Sequence, residues 1–294
     1  MIFFLQLMVT GLVVGSMYAL VALGFVLIYK SSRVINFAQG ELVLVGAYVC
    51  LILTATYRVP FLLAFAITMA VAILLGLAIE RLFLRPMIGE PVLSIIMLTI
   101  GLSSLLKGLV EFIWGTETRV YPPIFPSKPV EFGGIVVSQV YLWSFILSAI
   151  FLVIFSLFFK FTKSGIAMRA AADDEDAALS MGISIKKIYG MAWAIAALVA
   201  GVGGIIIGNI NGVNVSLSAI GLNVFPVVIL GGLDSIPGAI VGGLVIGILE
   251  NLAGGYLDPF FGGGVKEIFP FLILVLVLMV KPYGLFGLER IERV

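Results

Sequence analysis

Histidine is absent from the 294-residue sequence, and Cys50 is its only cysteine. Without histidine the chain lacks the commonest metal ligand and general base, and a Ser-His-Asp triad is excluded. One cysteine supplies neither a disulfide framework nor a cysteine metal site. The phosphate-binding pattern Gly-x-x-x-x-Gly-Lys-Ser/Thr is also missing. We therefore expect a protein that is not an enzyme and has no cofactor of its own. Any ATP that drives it would bind to another chain.

Charge is scarce as well. Charged residues make up 11% of the sequence and hydrophobic residues 62%, whereas a soluble domain has about 25% charged residues. The net charge of +1 gives no reason to expect nucleic acid as a partner. The composition predicts an integral membrane protein surrounded by a lipid bilayer.

Apolar runs long enough to cross the hydrocarbon core of about 30 Å recur along the chain. They lie at 3–29, 37–56, 60–83, 91–113, 138–159 and 187–208, with a shorter run at 266–281. Segment 219–256 is interrupted by Pro226 and by Asp234 to Gly238, which predicts a discontinuous or re-entrant hairpin. The sequence thus predicts an all-α integral membrane protein: one domain over 1–294, a polytopic bundle of about eight transmembrane helices.

Basic residues predict the orientation. With the N-terminus outside, twelve of them fall on the cytoplasmic side and five on the other side or within helices, as the positive-inside rule requires. The twelve are Lys30, Arg33, Arg81, Arg85, Lys160, Lys163, Arg169, Lys186, Lys187, Lys281, Arg290 and Arg293; the five are Arg58, Lys107, Arg119, Lys128 and Lys266. The C-terminus is then cytoplasmic. The loop 115–137, which includes Pro126, is external and either meets an extracytoplasmic partner or serves as a stiff connection.

The stretch 160–187 holds more charge than hydrocarbon accommodates, so we expect it in water on the cytoplasmic side. Its aspartates can cap a short helix of about two turns, and a glycine can end it. The small apolar face of this helix either docks into a groove on a cytoplasmic partner or belongs to an ordinary hydrophilic connection. The candidate residues are Asp173, Asp174, Glu175, Asp176, Ala177, Ala178, Leu179, Met181 and Gly182.

Polar residues also occur inside the apolar runs. Asn36 and Gln39 have the spacing of a capping box, which predicts a helix beginning near Phe37. Glu41 lies about one turn further in, where a carboxylate is costly unless it finds a donor, stays protonated or faces water. Glu41 is therefore either a structural tie between helices or a polar element of a translocation pathway.

Lys107 and Glu111 are four residues apart on one helical face and are predicted to pair, or else to line an entrance. Glu250 and Asn251 admit the same two interpretations, with the structural one favoured. The candidate pathway residues are Asn36, Gln39, Glu41, Asp234, Ser235 and Glu250. Small residues spaced by four, as in Gly243-x-x-x-Gly247, predict close helix packing.

Several stretches, in this order, resemble the permease subunits of branched-chain amino acid ABC importers of the LivH type. They are 15–24, 36–41, 180–183, 231–243 and 281–287. Asp176-Ala177-Ala178-x-x-x-Gly182 also resembles the Glu-Ala-Ala-x-x-x-Gly loop of permeases in ATP-driven importers. In that family the short helix of this loop sits on the ATP-binding subunit.

The resemblance implies a permease that pairs with a second homologous permease, two cytoplasmic ATP-binding subunits that hold ATP and Mg²⁺, and an extracytoplasmic amino-acid-binding protein. It implies alternating access in the bacterial cytoplasmic (inner) membrane, with 160–187 as the coupling loop. Gln39 stands where this family usually has histidine, so a titrating imidazole is absent there. Family members for urea, short amides or aromatic acids share much of the pattern. A proton-coupled secondary carrier with Glu41 or Glu250 as the relay is the alternative from another class.

Overall fold

Backbone groups in lipid must hydrogen-bond within the protein, and long apolar runs meet this requirement by forming helices. The computed structural model of the protein describes residues 2–124, 129–132 and 135–287. Pro126, Lys128, Arg290 and Arg293, used above for the external loop and the orientation, lie outside the described residues. The orientation predicted from the basic residues stays a prediction.

The described residues form thirteen α-helices and one short hairpin. The helices are α1 (Ile2–Ser32), α2 (Gln39–Leu51), α3 (Phe61–Ile79), α4 (Val92–Trp114), α5 (Gln139–Phe161), α6 (Lys163–Asp173), α7 (Glu175–Ser180), α8 (Ile185–Asn211), α9 (Ile220–Asn223), α10 (Phe225–Gly231), α11 (Ile236–Tyr256), α12 (Asp258–Phe261) and α13 (Val265–Val280). The antiparallel strands are β1 (Val130–Phe132) and β2 (Ile135–Val137). Wider π-type turns, Ile52–Thr56 and Glu80–Leu84, extend α2 and α3.

Seven helical segments in the described part of the chain are long and apolar enough to cross a membrane. They are Ile2–Ser32, Gln39–Thr56, Phe61–Met87, Val92–Trp114, Gln139–Phe161, Ile185–Asn211 and Ile236–Tyr256. The 16 residues of α13 add an eighth apolar helix, about 24 Å long. The predicted all-α polytopic bundle of about eight helices is confirmed.

Helices α1 and α8 form the centre of the bundle. In the apolar membrane-spanning segment of α1, 89% of the residues are buried, whereas in that of α4 only 17% are. Glycines bring α1 against α11: a Cβ at Gly15 would lie 2.7 Å from the carbonyl oxygen of Gly243, and one at Gly243 would lie 2.7 Å from that of Gly15. No side chain fits between these backbones, so the predicted close packing at Gly243 and Gly247 is confirmed.

Both interruptions predicted within 219–256 are present: the first arm is broken around Pro226, and a turn at 232–235 separates it from the second arm. A 3-10 turn, Val215–Ala219, is followed by α9 and α10, with Pro226 at the start of α10. The second arm is the uninterrupted helix α11. The broken arm is therefore discontinuous, as predicted, but the two arms do not form a shallow hairpin, because the first arm spans the bundle.

Contacts at the two ends of the broken first arm show that it runs from one side of the bundle to the other. Beside the predicted external loop, Asn214 Nδ2 donates to Thr118 Oγ1 at 3.1 Å. Beyond the other end, Lys30 Nζ, near the last residue of α1, donates to the carbonyl oxygen of Asp234 at 3.1 Å. The first residues of α1 lie at the end of the external loop, where Gln6 Nε2 donates to the carbonyl oxygen of Val136. Broken backbone is tolerated at membrane depth when protein covers it.

Candidate coupling helix and translocation face

Each of the two helices in the predicted coupling loop begins at a side-chain cap. Thr162 Oγ1 accepts from the backbone N–H of Gly165 at 3.0 Å and begins α6. Asp174 Oδ1 accepts from the backbone N–H of Ala177 at 2.9 Å and begins α7. Each cap satisfies a backbone N–H that has no partner within its helix. The predicted short helix beginning at an aspartate is confirmed.

Gly182 ends α7 in a left-handed conformation, with φ of +80°. Its N–H donates to the carbonyl oxygen of Leu179 at 2.9 Å, and the N–H of Ile183 donates to that of Ala178 at 3.0 Å. This pair of bonds is a Schellman motif, which favours glycine because its backbone has no Cβ penalty at positive φ. The predicted glycine stop is confirmed.

Two large apolar side chains are exposed at the end of α7: Leu179 in the helix and Met181 directly after it, which are 51% and 83% exposed. Ala178 packs inward at 4% exposure. The predicted acidic residues of the loop, Asp173 to Asp176, are all exposed. A partner that docks on this helix would meet two large apolar side chains with acidic residues beside them.

Arg33 links the predicted coupling loop to the rest of the bundle. Its Nη2 donates to the carbonyl oxygen of Ala172, near the end of α6, at 2.6 Å. Arg33 directly follows α1 and has a φ of +57°, which is uncommon for a residue with a side chain. This hydrogen bond thus joins α6 to the linker 33–38, which leads into α2.

Asn36 and Gln39 are fully buried in this linker and at the start of α2. Asn36 Oδ1 accepts from the backbone N–H of Ala38 at 3.0 Å, and Asn36 Nδ2 donates to Gln39 Oε1 at 3.2 Å. Gln39 Nε2 donates to the carbonyl oxygen of Ala196 in α8 at 3.3 Å. The predicted capping box is wrong, because α2 begins at Gln39 without a side-chain cap. Asn36 closes a tight turn, and Gln39 ties α2 to α8.

Glu41, 6% exposed, faces α4. Ser103 and Lys107 of α4 are the side chains whose electrostatics act on its carboxyl. The predicted pairing of Lys107 with Glu111 is absent: in the described part of the chain, ion pairs form only between Arg85 and Glu80 and between Lys266 and Glu250.

The exposed side of α4 carries charge at membrane depth. Lys107 and Glu111 are both exposed there, and lipid is a costly surrounding for either group. This side is therefore expected to face water, another protein or, for the long Lys107 side chain, the membrane interface. Thr99 contacts the linker, because its Oγ1 accepts from the N–H of Phe37 at 3.3 Å. Its own hydroxyl hydrogen is donated at 2.8 Å to the carbonyl oxygen of Ile96 within α4. We call Ser103, Lys107 and Glu111 of α4, together with Glu41 of α2, the α4 face.

The other predicted pathway residues lie elsewhere. Glu250 accepts from Tyr18 Oη at 3.2 Å and lies 3.9 Å from Lys266 Nζ, so it ties α11 to α1 and α13. Ser235 Oγ caps α11 by accepting from the N–H of Gly238 at 3.1 Å. The backbone of neighbouring Asp234 contacts Lys30, as described above. The six predicted residues therefore fall into three groups instead of one site: Asn36, Gln39 and Glu41 at the start of α2, Asp234 and Ser235 before α11, and Glu250 within α11. Their part in transport stays a prediction.

The chain matches the protein family described as "Branched-chain amino acid transport system / permease component" over residues 7–279. The chain belongs to this family of permeases. The resemblance of its motifs to this family is thereby confirmed.

Relatives of similar length extend this result. The permease is 31% identical over 310 residues to the "High-affinity branched-chain amino acid transport system permease protein LivH" of Escherichia coli, covering 100% of this chain and 98% of that protein. It is 33% identical to the corresponding protein BraD of Pseudomonas aeruginosa, covering 99% and 98%. It is 28% identical to a probable LivH of Methanocaldococcus jannaschii, covering 95% and 91%.

A solved structure shares the fold. The permease superposes on "PsaBC from Streptococcus pneumoniae in complex with Fab" with a TM-score of 0.51 and 12% identity, covering 95% of this chain and 92% of that one. At this identity the likeness concerns the fold alone. It supports the polytopic helical architecture described above.

The sequence did not indicate two structural contacts of the permease. Arg33 is visible in the sequence only as a basic residue, and its partner Ala172 lies 139 positions away. Glu80, 1% exposed, binds Arg85 through two hydrogen bonds, of 3.1 and 2.9 Å. This pair is five residues apart in the wider turn that ends α3, outside the helical spacings of three and four.

Proposed function

We propose that this permease is the membrane-spanning subunit of an ATP-driven importer. It moves branched-chain or other hydrophobic amino acids from an extracytoplasmic binding protein into the cytoplasm by alternating access. It works with a second homologous permease and two cytoplasmic ATP-binding subunits, which hold ATP and Mg²⁺, in a bacterial cytoplasmic membrane. The observation that carries this proposal is the capped helix α7, which presents Leu179 and Met181 to solvent.

A continuous series of contacts offers a route from α7 to the α4 face. Helix α7 follows α6 directly, and the N–H of Asp174 donates to the carbonyl oxygen of Ala170 at 3.1 Å. The hydrogen bond from Arg33 connects α6 to the linker 33–38, and the hydrogen bond from the N–H of Phe37 to Thr99 connects this linker to α4. An ATP-binding subunit that moves α7 would therefore displace the linker and, through it, α4. Coupling of this kind requires an element with two arrangements that both sites bias.

The α4 face suits an amino acid. Substrate in its zwitterionic form has an ammonium and a carboxylate, which complement the Glu41 carboxyl and the Lys107 ammonium. We expect Glu41→Gln and Lys107→Gln each to raise the KM of uptake about tenfold, the equivalent of about 1.4 kcal/mol. Radiolabelled uptake by the reconstituted complex measures this effect. Lys281→Gln removes an exposed lysine outside both the α4 face and the predicted coupling loop and is the control. A KM unchanged in both variants would exclude this face from substrate binding.

The role of ATP is tested in liposomes that contain the permease, its copurifying ATP-binding subunits and the binding protein. Inactivating the ATP sites of those subunits is expected to reduce leucine, isoleucine and valine uptake to background. Undiminished uptake would reject the proposal. Uptake that survives but collapses when the proton gradient is dissipated would favour the carrier with Glu41 or Glu250 as relay. Competition by urea, short amides and aromatic acids separates the alternative substrates.

A further inference from the structure

An apolar groove runs along the bundle between α1, α5 and α11. It encloses about 320 Å³. Its lining includes Phe145, Ala149, Val153, Leu157, Ile240 and Leu244. The only polar side chains that line it are the hydroxyls of Ser16 and Ser156. Unlike the α4 face, this groove has no charged lining residue, so lipid is a favourable surrounding for it.

A second cavity of about 500 Å³ continues the groove, and Ser156 lines both. This basic mouth is lined by Lys30, Lys160, Arg169 and Asp234 among others. Three cations against one carboxylate leave a net charge of +2 there. None of these cations forms an ion pair within the described part of the chain. Arg169 Nη2 donates to the carbonyl oxygen of Lys160 at 3.3 Å, which holds the two residues together.

The groove and the basic mouth match the two parts of a phospholipid. From Phe145 to Leu157 helix α5 rises about 18 Å, which is comparable with one leaflet of a hydrocarbon core about 30 Å thick. The basic mouth lies at the end predicted to be cytoplasmic, and basic pockets between helices on that side bind anionic headgroups.

We propose that one anionic phospholipid binds the permease here, with an acyl chain in the groove and its phosphate at the basic mouth. The bound lipid bridges α5, which leads into the coupling loop, and α11. Positive charge at the basic mouth selects an anionic headgroup over a zwitterionic one, because only the former brings net negative charge to balance it. This inference does not depend on the transported substrate or on ATP.

Native mass spectrometry tests the proposal on the permease purified with the subunits that accompany it. Phosphatidylglycerol and phosphatidylcholine with identical acyl chains are offered together. We expect one phosphatidylglycerol per permease chain, retained at least fivefold over phosphatidylcholine, and no displacement by soluble glycerol phosphate. Equal retention of the two lipids would overturn the proposal. Displacement by glycerol phosphate would overturn it as well, because the site would then bind a free phosphate.

Variants locate the bound lipid. Lys160→Gln combined with Arg169→Gln is expected to lower phosphatidylglycerol retention at least fivefold. The matched control, Arg81→Gln with Lys187→Gln, removes the same two kinds of charge at exposed positions outside the cavity and is expected to retain lipid normally. Ala149→Phe narrows the groove without changing charge and is expected to lower retention. Normal retention in the Lys160/Arg169 variant, or in Ala149→Phe, would contradict the proposed site, as would an equal loss in the control.

A cross-linking experiment excludes another occupant of the groove. The only native cysteine, Cys50, is buried, so Val153→Cys introduces one accessible thiol in the groove. We expect no cross-link between this thiol and a second permease chain. Efficient cross-linking of Val153→Cys to a second permease, with or without bound lipid, would assign the groove to the interface between permeases and overturn the proposal.

Discussion

Replacing both Leu179 and Met181 by aspartate is expected to abolish amino-acid uptake while leaving the permease folded in the membrane. Both side chains are largely exposed, so the change costs the isolated chain little. Burying each of them in a partner is worth about 1.5–3 kcal/mol. Losing about 3 kcal/mol weakens binding of the ATP-binding subunits roughly 100-fold. Uptake in vesicles and copurification of the ATP-binding subunits measure the result.

Two controls separate docking from folding. Exchanging the side chains as Leu179→Met with Met181→Leu keeps an apolar face of similar volume and is expected to preserve uptake. Ser180→Asp adds a charge to α7 without removing either apolar side chain, and we expect most uptake to remain. A charged residue at Ala178 is not diagnostic, because Ala178 is buried and its replacement would disturb the loop itself. Normal uptake by the double aspartate variant would remove α7 from the mechanism.

Local signals account for what the sequence predicted well. A helix in lipid satisfies its backbone internally, so each apolar run predicts its own span. The cap at Asp174 and the stop at Gly182 also involve only neighbours along the chain. The glycine pairs were readable for the same reason, since spacing alone places small residues on one helical face. Fold class and the short helix α7 were therefore accessible from the sequence.

Contacts between distant segments account for what the sequence missed. Lys107 and Glu111 have the spacing of a local pair, yet they form no ion pair in the described part of the chain, and the Lys107 charge acts on Glu41 of α2. Asn36 and Gln39 have capping-box spacing, yet the Gln39 side-chain amide donates to the carbonyl oxygen of Ala196 in α8. The break at Pro226 was visible, but the route of the broken arm depends on the segments that cover it. No pattern within a single segment contains this information.

The contact between α1 and α11 is expected to be the least tolerant of added volume. A Cβ at Gly247 would overlap the backbone of Gly15 and lie 2.6 Å from the carbonyl oxygen of Gly11. Because both obstacles are backbone, the helices themselves would have to separate. We expect Gly247→Leu to yield no folded permease. Gly247→Ala should lose about 2–3 kcal/mol of stability, which lowers the midpoint of thermal unfolding by about 5–10 °C.

Gly101→Ala and Gly108→Ala on α4 provide the matched comparison for that prediction. A Cβ at either position meets nothing within 4 Å, and alanine favours a helix over glycine by up to about 1 kcal/mol. These variants are expected to unfold at or slightly above the midpoint of the unaltered permease, measured in the same detergent. The comparison isolates the helix contact, because all three alanine variants make the same chemical change within a helix. If Gly247→Ala unfolded at the same temperature as Gly101→Ala, the backbones of α1 and α11 would not be in direct contact.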